Sequence, residues 1–206
     1  MIAVVDFGSG NTRSVLRALD AVGAEARLVG TPEGIEAAER LVLPGVGAAP
    51  SAVDALMARG LWEPVRRWGT DKRPLLGLCL GAQLLLEGSD EGNAPGLGLI
   101  AGRCRAFPST AEGGPQQVPH IGWNEVRTAT GGFDAYFVHG YWLAADPSAV
   151  AGWTDVDGFR FPSLLRAGSL TGTQFHPEKS GPTGRAMLAA FAAGALDAQT
   201  KAVAWS

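Results

Sequence analysis

The stretch PLLGLCLGAQLLLEGS, residues 74–89, changes character at Cys79. Residues 74–78 form a short apolar run with the look of a buried strand, and AQLLLEGS beyond them has helical character. Cys79 therefore stands at a strand-to-helix turn. Within it, GLCLG at 77–81 has the G-x-nucleophile-x-G form, in which a sharp turn lifts one side chain above the strand ends. Gly77 and Gly81 suit such a turn because neighbouring backbones approach closely there and a Cβ would clash. The backbone N–H of Leu80 would face a developing oxyanion. A buried structural thiol is the competing reading for any one cysteine. The paired glycines weigh against it at Cys79, whereas Cys104, between Arg103 and Arg105 in an expected strand, is assigned to structure.

Before this turn, the strand-like runs IAVVD (2–6), ARLVG (26–30) and RLVLPG (40–45) alternate with helical patterns near 11–22 and 51–58. That alternation predicts a parallel sheet with crossover helices. In the first helix Val15, Leu16, Leu19 and Val22 share one apolar face, with Asn11 as a cap and Gly23 as a terminator. From Arg103 to Arg166 the short runs RCRAF, NEVRT, DAYFVHGYW and SLLRAG, broken by glycines and prolines, predict antiparallel strands and hairpins. SLTGTQF (169–175) reads as a last strand. PTGRAMLAAFAAG (182–194) reads as a closing helix that, with the next residue, turns Met187, Leu188, Phe191 and Ala195 inward.

The 206 residues suit one domain, residues 1–206, around one core. A hydrophobic content of 46% with 18% charged residues is a globular balance, and a formal charge of -3 gives no broad electrostatic case for nucleic acid or anionic lipid. No apolar run approaches the ~20 residues of a membrane helix. MIAVVDFGSGN meets Asp6 too early for a signal peptide, and two cysteines make no disulfide framework. A cytoplasmic protein with reduced thiols is expected, with no metal site, because no Cys/His group has ligand spacing.

A thiolate attacking an amide needs a proton shuttle, and imidazole suits neutral pH. His176 follows the expected last strand in QFHPE, with Glu178 two residues on. In extended backbone these two would point to one side, the carboxylate holding the imidazole tautomer. A strand-ending His-Pro-Glu turn without chemistry is the alternative. His120 and His139, in apolar-aromatic surroundings, are assigned to structure. LPGVG at 43–47 follows another strand, and an N–H between Gly45 and Gly47 would complete an oxyanion hole, unless the loop is an ordinary turn. DFGSGN at 6–11 lacks the third glycine or the Lys-Ser/Thr of a phosphate loop.

In this order and spacing LPGVG, GLCLGAQLL and QFHPEKS resemble class I glutamine amidotransferases. DFGSGNTRSV, LPGVGA, VPHIGWNEV, YFVHGYW and FHPEKSG together resemble, more narrowly, the glutaminase subunits of imidazole glycerol phosphate synthase. The resemblance implies a flavodoxin-like α/β fold, a mixed and mostly parallel sheet flanked by helices with an antiparallel second half. It implies that Cys79 attacks the glutamine carboxamide, His176 passes a proton to departing ammonia and Glu178 orients His176, with no cofactor. Carried over by motif, Val46 and Leu80 supply oxyanion N–H groups, and Gly47, Gln83, Glu91, Gly140 and Tyr141 hold glutamine. The family often has Ser or Thr where this chain has Gly140, which leaves only a backbone contact there. Ammonia would pass to a cyclase subunit in a heterodimer, with Asn11, Trp123, Tyr136 and Lys179 toward that partner. In the family the Val46 peptide turns its N–H inward only when the partner is bound and loaded.

Three rival readings carry different tests. A glutaminase of the pyridoxal phosphate, purine or anthranilate pathway would lack VPHIGWN. A non-catalytic binding module would have no need of Cys79, His176 and Glu178 together. A stand-alone thiol hydrolase would turn over at full rate without a partner.

Overall fold

In IAVV alternate side chains leave opposite faces of the strand, so all four are buried only if both faces are covered. The computed structural model, which describes residues 1–8 and 11–196, covers both. The chain runs β1 (Ile2–Val5), α1 (Thr12–Asp20), β2 (Ala26–Val29), α2 (Pro32–Glu36), β3 (Arg40–Leu43), α3 (Ala49–Ala58), α4 (Trp62–Thr70), β4 (Leu75–Leu78) and α5 (Leu80–Leu84). It continues through β5 (Gly102–Ala106), β6 (His120–Thr128), β7 (Gly131–His139), β8 (Tyr141–Ala145), β9 (Val150–Val156), β10 (Phe159–Ala167), β11 (Leu170–Thr173) and α6 (Gly181–Ala192). Among these residues no helix is long and apolar enough to cross a membrane.

Among the described residues nine strands form one sheet in the order β2-β1-β3-β4-β11-β10-β9-β6-β7, and β5 pairs β8 in a small separate one. The first five are parallel and the remaining pairings antiparallel. The parallel part has the doubly wound order in which the first strand lies inside the second. One core, with Ala3, Val5, Leu41 and Leu43 from the strands and Leu56, Val65 and Trp68 from α3 and α4, lies on one side. The other joins Ile2, Val4 and Val42 to Val15 and Leu19 of α1 and Met187, Leu188 and Phe191 of α6.

Several expectations change, beginning with the single core, which the sheet divides into two, one on each face. Two helices, α2 and α4, occupy stretches that carried no prediction; α2 is opened by Thr31, whose hydroxyl accepts from the Gly34 N–H at 3.2 Å. α5 stops at Leu84, well short of residue 89, because the following carbonyls are taken by another loop. The Leu84 carbonyl accepts from Leu97, and that of Leu85 from Leu99 and Ile100. DAYFVHGYW is not one strand. It breaks at Gly140, with β7 in the large sheet and β8 in the small one. Asn11 begins α1 but its side chain makes no capping bond. Ala195 is only partly buried, and Leu196 packs inward instead.

Candidate active site

β3, β4 and β11 are adjacent and parallel, with Leu43 opposite Gly77 and Leu78 opposite Thr173. Their carboxyl ends therefore deliver three loops to one edge of the sheet, where open α/β sheets hold their ligands. The middle loop carries Cys79 and the outer two carry Val46 and His176.

Cys79 has φ 49° and ψ -107°, a conformation that costs a non-glycine residue about 1–3 kcal/mol. Its N–H donates to the Thr173 carbonyl at 2.7 Å and its carbonyl accepts from the Gln83 N–H at 3.0 Å, so strand and helix both hold the turn. A Cβ on Gly81 would lie 1.9 Å from the Leu43 carbonyl oxygen, and one on Gly77 2.8 Å from the Ala82 nitrogen. The close approach expected of these glycines is therefore present. A Cβ on Gly45 would fall 2.6 Å from that of Leu80, so LPGVG is pressed directly against the cysteine turn.

His176 and Glu178 meet as expected, but by another route. The chain leaves the extended conformation after His176 and enters a 3-10 turn at Pro177–Lys179. That turn, and not a continued strand, brings Nδ1 of His176 to 2.8 Å from Oε1 of Glu178. Both side chains are almost fully buried. Burial, the largest influence, pulls the imidazole down, yet Cys79 and Glu178 together outweigh it and His176 is pushed up to about 9. Among the described residues His176 Nε2 nonetheless has no hydrogen-bond partner. The Cys79 Sγ instead lies 3.7 Å from the Val138 carbonyl.

A cleft of about 290 Å³ opens above these loops, lined by Val46, Gly47, Cys79, Leu80, Gln83, Glu91, Val138, His139, Gly140, Tyr141 and His176. Every residue the motif comparison assigns to glutamine lies in this wall. Glu91 is anchored by the Ala49 N–H, which donates to its Oε2 at 2.7 Å. A larger cavity of about 440 Å³ lies at the opposite strand ends, between Gly69 and Leu170, without a comparable set of reactive groups.

His120 and His139 form a buried pair, His120 Nδ1 lying 3.0 Å from His139 Nε2, while His139 Nδ1 lies 2.7 Å from the Tyr141 carbonyl. Because a carbonyl only accepts, His139 carries its proton on Nδ1 and His120 donates to its Nε2. Burial foremost pushes His139 down to about 3. The structural assignment of both suits this geometry, although His139 also borders the cleft. Cys104 is fully buried in β5, its thiol pushed up to about 12, mainly by burial.

Sequence reasoning passed over Gln174, whose Nε2 lies 3.7 Å from Cys79 Sγ. A glutamine directly after the strand LTGT, two positions before His176, is the signal that marks it. Trp123 and Tyr136 are register partners on β6 and β7 with ring centroids 6.1 Å apart, and Lys179 Nζ lies 5.7 Å from the Tyr136 ring centroid. Trp123 is 58% exposed, and α1, which Asn11 begins, contacts the turn that carries Lys179.

A thiol on a strained turn, a buried His-Glu pair and a second glycine loop around one cleft accompany a match to the family model described as glutamine amidotransferase class-I over residues 3–195, and the chain belongs to that family. The imidazole glycerol phosphate synthase subunit HisH of Streptococcus sanguinis is 45% identical over 200 residues, covering 93% of this chain and 95% of that one. Its counterpart in Streptococcus gordonii is 46% identical at the same coverage. Within the class, the chain is a member of this HisH subunit family. A solved structure described as a glutamine amidotransferase superposes with a TM-score of 0.75 at 21% identity, covering 94% of this chain and 98% of that one, and shares the fold.

Proposed function

We propose that the chain, as a single catalytic domain over residues 1–206, hydrolyses glutamine to glutamate and ammonia and delivers the ammonia to a cyclase subunit. The assembly is a cytoplasmic heterodimer, imidazole glycerol phosphate synthase, and the reaction belongs to histidine biosynthesis. The observation that carries the reading is that Cys79, His176 and the Val46–Gly47 peptide border one cleft, with Glu178 bonded to His176 behind it.

Glutamine lies along Gly47, Gln83, Glu91, Gly140 and Tyr141, with the Glu91 carboxylate toward its ammonium group. Cys79 Sγ attacks the side-chain carboxamide carbon, and the oxyanion forms against the N–H groups of Leu80 and Val46. His176 gives the proton from Nε2 to the amide nitrogen, the C–N bond breaks and ammonia leaves. Water, deprotonated by His176, then attacks the thioester carbonyl; the C–S bond breaks and glutamate forms. Glu178 keeps the other imidazole proton on Nδ1 throughout, so that Nε2 faces the reacting atoms. With His176 pushed up to about 9, the proton for ammonia is in place at neutral pH.

Exposed Trp123 and Lys179 flank the half-buried Tyr136, an aromatic and cationic surface of the kind that anchors a partner, and Asn11 is assigned to the same partner. The test is glutamine turnover with and without a cyclase subunit and its ribotide ligand. The reading predicts a large rise when both are added; equal rates would contradict the coupling.

A further inference from the structure

Two buried glutamines connect the nucleophile to the wall of the cleft. Gln174 is completely buried and Gln83 nearly so. Gln83 Nε2 donates both to the Tyr141 carbonyl and to Gln174 Oε1, each at 3.4 Å. A side-chain amide has interchangeable ends as far as its shape is concerned, so its neighbours must fix its orientation. Here a backbone carbonyl does so. The Tyr141 carbonyl accepts only, which sets the Gln83 nitrogen on that side. That nitrogen requires the oxygen of Gln174, and the nitrogen of Gln174 is left facing Cys79 Sγ at 3.7 Å. The same carbonyl is the one bonded by His139, which His120 supports in turn.

The two described hydrogen-bond partners of Sγ therefore favour opposite states. The Val138 carbonyl accepts, which favours the S–H form, whereas the Gln174 amide donates, which favours the ionised sulfur. We infer that Gln174 is the donor that steadies the Cys79 thiolate, and that Gln83 sets the direction of its amide in addition to facing the substrate. This rests on the reading of Cys79 as the nucleophile. Gln174 has no titrating group, so it assists the sulfur without moving a proton and leaves that work to His176. Hydrogen bonds to a charged atom are roughly twice as strong as neutral ones.

The test is iodoacetamide alkylation of the full chain, with neither glutamine nor partner present, followed by peptide mass at Cys79. Cys104, buried and pushed up to about 12, is read as a separate peptide. Gln174→Glu retains an oxygen for Gln83 but turns a second oxygen to the sulfur, and Gln174→Met removes the amide at similar length. Both variants are expected to react about tenfold more slowly than wild type near pH 7, and Gln174→Met to converge with it near pH 10, where a free cysteine in solution is already ionised. An unchanged Gln174→Met rate near pH 7 overturns the inference. So does an equal loss at both pH values, which is what altered packing alone would give. Retained glutamine turnover in Cys79→Ala would instead overturn the glutaminase reading and leave the alkylation contrast as measured.

Discussion

His176 Nδ1 and Glu178 Oε1 lie 2.8 Å apart across a proline-led turn, in a position where water scarcely reaches either side chain. In the proposed reaction this carboxylate orients the imidazole and stabilises its charge without touching the substrate. Glu178→Gln should therefore lose less glutamine turnover than His176→Ala. Partner-activated steady-state rates decide the order, and the reverse order would contradict these roles.

The same pair gives a pH signature. His176 is held above its ordinary 6.5, at about 9, so the folded state binds the extra proton between those values. Its contribution to stability is complete below pH 6.5 and is lost as pH rises through 9, with an upper bound of about 3 kcal/mol. His139 acts in the opposite direction. Held down to about 3, it is neutral in the fold where the unfolded chain is charged, so its contribution is present above pH 6.5 and lost as pH falls toward 3. Denaturant unfolding across this range should show a His176→Ala variant with a shallower alkaline decline than wild type. An unchanged slope would show that the imidazolium is not stabilised in the fold.

Gly81 and Gly140 provide a contrast in tolerance. A Cβ at Gly81 meets the Leu43 carbonyl at 1.9 Å, and neither backbone can yield without moving β3 or the cysteine turn. Gly81→Ala should cost about 3 kcal/mol or more and abolish turnover. At Gly140 a Cβ meets no atom of the described residues within 4 Å. Gly140→Ser should remain within about 0.5 kcal/mol of wild-type stability, as thermal unfolding would report.

Trp123 presents most of its surface to solvent and packs edge-on against Tyr136. On the proposed interface, its removal should weaken cyclase binding by at least about tenfold while the melting temperature hardly changes. Calorimetric titration of Trp123→Ala with the cyclase measures this directly. Unchanged affinity would remove Trp123 from the interface.

Much of this arrangement was legible in the chain itself. The cysteine turn is local, since its strand, its two glycines and its helix start fall within a few residues, and each leaves a mark in the sequence. The pairing of His176 with Glu178 was legible in outcome but not in geometry, because extended backbone and a 3-10 turn can each bring residues two apart together. The short extent of α5 was not legible, because its end is set by hydrogen bonds from residues 97–100, which local pattern does not contain. The break at Gly140 is likewise tertiary: β8 leaves the large sheet because β5 offers it a partner. Gln174 escaped notice because its role is defined by Gln83 and Cys79, 91 and 95 residues away in sequence.

The central claim is that Cys79 on its strained turn is the nucleophile, and it is tested most directly by glutamate formation from glutamine with Cys79→Ala in the presence of the cyclase and its ligand. The account predicts that turnover disappears while the variant still binds the cyclase as wild type does. Turnover retained by a folded, cyclase-bound Cys79→Ala protein would contradict it.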